Sequence, residues 1–152
     1  MKLKTLLTLA LSLLLGLHAA FAEDDTELAK QMKTMNRSLR TLKKQVADPA
    51  KKEENLGLLA TIKKSVEEAK KLEPEKTKDV PAAEKAAYLE KYKKEITELG
   101  KTFDALEVAV KEDKTADANS LLDKVMQQKR QGHKDFAPDD DKKGPPPGAP
   151  RQ

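Results

Sequence analysis

The sequence predicts an all-α protein, an antiparallel up-down-up-down four-helix bundle. Three observations carry that reading. Apolar residues recur in alternating steps of three and four along four separate stretches. Charged residues make up 37% of the chain while aromatics are confined to two Tyr and three Phe, a composition that suits helices and not sheets. The links between the first and second stretches and between the third and fourth are short, which makes sequential helices antiparallel neighbours.

The first helix is read from Leu28, Met32, Met35, Leu39, Leu42 and Val46, with Thr26 as its N-cap. Asp48-Pro49 ends it and can start the next, because Asp caps well and Pro is tolerated at the first helical position. The second helix buries Leu56, Leu59, Ile62, Val66 and Ala69 and stops before Pro74, where the polar link "EPEKTKDVP" follows. The third carries the longest stripe, Leu89, Tyr92, Ile96, Leu99, Phe103, Leu106 and Val110. Gly100 inside it costs about 1 kcal/mol relative to Ala, which the long apolar face offsets. The chain turns around "KEDKTAD", with Thr115 as the expected cap, and the fourth helix runs through Ala118, Leu121, Leu122, Val125 and Met126 towards Phe136, ending by Pro138. Such stripes are not stable singly in water, so they must pack on one another. There is no internal repeat.

Both ends of the chain fall outside this bundle. Residues 1–22 read as a secretory signal: Lys2 and Lys4 precede an apolar run at 6–17, and Ala-Phe-Ala at 20–22 offers a cleavage site after Ala22. The run is too short for a membrane span, which needs about 20 apolar residues. The expected organisation is therefore a signal at 1–22, a bundle at 23–137 and a solvated, proline-rich tail at 138–152, "PDDDKKGPPPGAPRQ". The exported product is expected to be soluble and periplasmic.

Composition excludes several classes of function. With no Cys there is no disulfide framework, thiolate metal site, cysteine nucleophile or covalent haem attachment. Loss of Lys2 and Lys4 with the signal takes the formal charge from +4 to +2. Interspersed charge with few aromatics argues against nucleic acid, which wants clustered basic surface and rings for bases to stack on. His18 leaves with the signal, so His133 is the one imidazole of the exported chain. A single His and no Cys give no nucleophile and base for a hydrolase, and one His forbids a di-metal carboxylate bundle, which needs Glu-x-x-His on two helices. The acidic run at 139–141 reads as solvating, and the chain is not expected to be an enzyme.

His133 sits in "QQKRQGHKDF", at the end of the fourth helix. Up-down-up-down topology puts that end beside the start of the first helix. Met32 lies six residues past Thr26, about 9 Å along the axis, and His133 five residues before Pro138, about 7.5 Å, so the two should stand at nearly one height. A thioether and an imidazole facing each other across a bundle interior form a known axial pair for haem iron. Each alone has a plainer role: Met32 as core filling, His133 as a helix-end residue gaining about 0.3–1 kcal/mol from the helix dipole when protonated. Met35, one turn further in, is the alternative sulfur. Gly132 can stop a helix, in which case His133 would turn to solvent.

The segments "LAKQMKTMNRSLR" at 28–40, "EKYKKEITELG" at 90–100 and "KRQGHKDF" at 129–136 resemble the cytochrome b562 family of exported b-type cytochromes. The resemblance covers residues 25–136. It implies one non-covalent haem b between the first and fourth helices, ligated by Met32 and His133, with Tyr92 and Ile96 where family phenylalanines line the pocket and Lys129 where the family carries an arginine. It also implies electron transfer with a transient redox partner, steered here by a Lys-rich surface to something acidic, and a monomer. The rival reading is a haem-free exported bundle acting as a binding or chaperone-like protein.

Overall fold

The computed structural model describes residues 26–138. The signal expected at 1–22 and all but the first residue of the tail expected at 138–152 lie outside the described residues. Four α-helices form: α1 Glu27–Gln45, α2 Lys52–Ala69, α3 Lys85–Lys111 and α4 Thr115–Phe136. No strand occurs among the described residues, and none of their helices is long and apolar enough to cross a membrane.

Each helix begins and ends for a local reason. Thr26 caps α1 as the sequence predicts, its Oγ1 accepting from the Ala29 N–H at 3.2 Å. Asp48 caps through its carboxylate, accepting from the Ala50 N–H at 2.9 Å. With Pro49 at the first position, this opens a short 3-10 helix, Pro49–Lys51, that leads into α2. The expected polar link after α2 is more ordered than its composition suggests: Glu75–Asp79 forms a 3-10 helix, with Thr77 inside it and Pro74 at its cap both buried. Thr115 is not the cap of α4. Asp113 adopts a left-handed φ of 57°, and the Lys114 N–H reaches back to the Ala109 carbonyl at 2.9 Å. That tight reversal starts α4 one residue early, with Lys114 in the cap position and no side-chain cap bond.

Cross-links fix the antiparallel order. Gln45 at the end of α1 exchanges hydrogen bonds with Asn55 early in α2. Lys52 donates to the Lys111 carbonyl and to Asp113 at the far end of α3. The Tyr92 hydroxyl, near the start of α3, donates to the Ala69 carbonyl at the end of α2, at 2.8 Å. Lys91 pairs with Asp135 near the end of α4 at 2.9 Å. The predicted stripes meet inside. Leu42, Leu59, Ile62, Phe103 and Leu106 are fully buried, and Met35, Val66, Ile96, Leu122 and Val125 complete the same cluster. Close backbone approach joins α1 to α2, α2 to α3 and α3 to α4, whereas α1 and α4 scarcely approach each other. The bundle therefore has three tight seams and one loose one.

Candidate functional site in the loose seam

The loose seam is where the sequence places its imidazole and its thioether. Successive helical residues are about 100° apart, so marked residues on each helix identify its flanks. On α1 the contact of Gln45 with Asn55 marks the flank towards α2. Met32 and Asn36 lie across the buried stripe from it, on the other flank. On α4 the Lys91–Asp135 pair marks the flank towards α3, and Lys129 and His133 lie across the stripe from that. Arg40 is close enough to Lys129 to act on its charge, so these two flanks face one another.

If Arg40 and Lys129 are level, His133 is about 6 Å further along α4 and Asn36 about 6 Å back along α1, at one height. Met32 is one turn, about 6 Å, beyond Asn36. On that footing Met32 and His133 would stand about one helical turn, about 6 Å, apart along the bundle axis.

Their burial differs from expectation. Met32 is half-buried and packs against the core, and Met35 is fully inside it. The His133 side chain is exposed, not turned inwards, and no hydrogen bond engages its ring among the described residues. Gly132 does not stop α4. The helix runs through it to Phe136, the Ala137 N–H closing the last turn on the His133 carbonyl at 3.1 Å. His133 reaches solvent because it stands on the rim of a seam that α1 does not close.

Several side chains here lack what burial demands. The Asn36 Oδ1 is buried without a hydrogen-bond partner, and a buried acceptor left unpaired costs about 1–3 kcal/mol. Lys129 is half-buried with no acidic partner; burial, and then the like charge of Arg40, hold its pKa below the ordinary lysine value. A Cβ built on Gly132 would meet nothing within 4 Å. A half-buried cation without a counter-charge suits a group with an anionic part. Sulfur and imidazole are also the right donor types for haem iron. No group of three or more His, Cys, Asp or Glu able to hold a metal ion occurs among the described residues.

The wall towards α3 is aromatic. Phe136 packs edge-on against Tyr88 and Tyr92, each at 5.3 Å between ring centroids, and Lys91 lies over it. Tyr92 and Ile96 are buried core residues. Burial pushes the Tyr92 hydroxyl up to about 12. Phe136, Tyr88, Asn36 and Arg40 were not singled out by the sequence reading as site residues. Phe136 and Tyr88 could have been suspected from scarcity, since a chain with so few aromatics gathers three at one end.

The cytochrome b562 family model matches residues 27–137, α1 to the end of α4. The chain belongs to the cytochrome b562 family. Searches of curated proteins and of solved structures give no match. The family match spans all four helices, so it covers both flanks of the loose seam and the resemblance drawn from 28–40, 90–100 and 129–136.

Proposed function

We propose that this protein is an exported electron carrier holding one haem b without covalent links between α1 and α4, with Met32 and His133 as the axial ligands. The observation that carries the reading is the facing of flanks: the half-buried thioether and the exposed imidazole lie on opposite walls of the one seam that the backbone leaves loose. Family membership supports it independently. Haem supplies a single iron that gains and loses one electron, and a methionine ligand favours its ferrous state.

The chain's own residues would do the rest. Met32 offers its sulfur from α1 and His133 a ring nitrogen from α4. If Met32 and His133 together held the iron, the protein would act as a carrier and not an enzyme. Lys129 would gain from an anionic neighbour such as a propionate, because such a charge opposes both the burial and the repulsion from Arg40 that now weaken its proton. Tyr92 and Ile96 would back the site from α3, and Met35 would seal it from the core. Tyr92 is held in place by its bond to the Ala69 carbonyl. The signal-like start supports a periplasmic location, and the small self-contained bundle a monomer with a transient partner.

A haem-free binding bundle draws support from the exposed His133 ring and from the Tyr88, Tyr92 and Phe136 rings already packed on one another. Haemin titration followed by a reduced-minus-oxidised visible spectrum separates the two. The cytochrome reading expects uptake of one equivalent and sharp low-spin bands, lost in His133→Ala with the greater fall in affinity, lost in Met32→Ala with a smaller one, and kept in Met35→Ala. Loss in Met35→Ala in place of Met32→Ala would move the sulfur ligand to Met35. A protein that stays colourless with haemin would establish the haem-free bundle.

A further inference from the structure

Charge is distributed unevenly over the four helices. On α2 and α3 the signs are near balance, three lysines against four glutamates and six lysines against five acids, and several pair: Lys63 bridges Asp104 and Glu107, Lys111 pairs with Glu107, Lys101 with Glu98, and Lys70 and Lys71, just past the end of α2, with Glu67 and Glu68. On α1 the cations are Lys30, Lys33, Arg37, Arg40, Lys43 and Lys44, against Glu27 alone. Arg37, Arg40, Lys43 and Lys44 are all exposed and have no acidic partner among the described residues. Arg37, Arg40 and Lys44 follow one another at i, i+3 and i+7, a single stripe on the side of α1 away from the core. The stripe borders the loose seam at Arg40 and continues onto α4 through Lys129 and the exposed Arg130, neither of which has an acidic partner.

We propose that this stripe, Arg37, Arg40 and Lys44, is the docking surface for an acidic protein that exchanges electrons with this one. The purpose rests on the haem reading; the surface itself does not. A net-positive stripe whose three cations have no acidic partner among the described residues attracts an acidic surface, speeds encounter and fixes which side faces the partner. Its place beside the seam brings the partner to the edge of the site, where one electron can pass from the reduced centre to the oxidised one with no bond made or broken. A protein fits better than a lipid surface. An interfacial helix needs large apolar side chains beside its cations, but the apolar side of α1 is buried, and the exposed large hydrophobic residue among those described, Val108, is on α3. Nucleic acid would want rings to stack on, and the stripe carries none.

The test is titration calorimetry at low salt, with a strongly acidic plant-type ferredoxin as probe, on the exported chain with and without haem. Compare the wild type with Arg37→Glu/Arg40→Glu/Lys44→Glu and with Lys64→Glu/Lys93→Glu/Lys94→Glu, an equal charge change on exposed lysines of α2 and α3. The expected result is salt-sensitive binding weakened about tenfold or more by the first variant and within about twofold by the second. If the Glu variant does not fold, the Gln triple at the same positions reads the same contrast. Equal weakening by both triples would mean that net charge alone acts, and would overturn the proposal. So would absence of ferredoxin binding, or binding to phosphatidylglycerol vesicles in its place. Heat of binding is read without haem, so failure of the haem reading shows separately, in the visible spectrum.

Discussion

The α2/α3 half of the bundle and the α1/α4 seam are both made by amphipathic helices, and their facing surfaces are resolved in opposite ways. Across α2 and α3 apolar side chains close over Phe103 and Leu59, and the charges outside neutralise one another in pairs. Across α1 and α4 the backbones stay apart, an amide oxygen is buried without a donor, and Arg40 and Lys129 have no acidic partner among the described residues. A bundle can hold itself together through three interfaces and leave the fourth unsatisfied for a ligand. The two regions should therefore respond differently to the same kind of change.

The largest contrast is in side-chain truncation. Phe103→Ala removes a fully buried ring and should cost about 3–5 kcal/mol. Met32→Ala in the haem-free protein should cost about 1 kcal/mol or less, since the side chain is only half-buried. Urea unfolding of both variants measures the difference, and equal losses would show that the seam is ordinary core.

The next effect comes from the hydrogen bond at the edge of the two regions. Tyr92→Phe removes the donor to the Ala69 carbonyl, for about 1 kcal/mol. Tyr92 also gives a pH signature. Its hydroxyl is raised to about 12 in the folded state, against about 10 for an unperturbed tyrosine. The stabilisation is full below the unfolded value and is lost as pH rises through the folded one, because the unfolded chain releases its proton first. Alkaline unfolding curves between about pH 10 and 12 should therefore be shallower in Tyr92→Phe than in the wild type.

Gly100→Ala should sharpen the tight side. A Cβ there would meet the Val66 Cγ1 at 3.4 Å, ordinary contact, and the helix would gain about 0.5–1 kcal/mol, visible as a higher Tm. The smallest effect should be Lys63→Ala, which opens the bridge to Asp104 and Glu107 across α2 and α3. A loss of about 0.5 kcal/mol at low salt, vanishing at high salt, is expected.

Much of this was legible before any coordinates. The stripes of three and four fixed every helix, because burial of an apolar face is a periodic property that short range reveals. Thr26 was legible for the same reason: its partner, Ala29, is three residues away. The misses are non-local or depend on backbone torsions. Thr115 lost its place as cap to a left-handed Asp113, a torsion that composition does not announce. The link at 75–79 looks like solvated loop until packing buries Thr77. Asn55, polar and almost wholly buried, escapes an apolar pattern because its partner Gln45 lies on the preceding helix. At the candidate site, the sequence nominated Met32 and His133 but expected both to face inwards, and His133 is exposed. Nor could it place Arg40 beside Lys129 or leave Asn36 without a partner, since both depend on how far α1 stands from α4.

The most direct measurement of the central claim is a map of backbone amide signals in the uniformly 15N-labelled protein as one equivalent of haemin is added. With haem in the α1/α4 seam, signals of α1 around Met32 and Asn36 and of α4 around Lys129 and His133 should shift or broaden first and most, while α2 and the Phe103 end of α3 stay close to their haem-free positions. Perturbation centred on α2 and α3, or no perturbation at all, would contradict it.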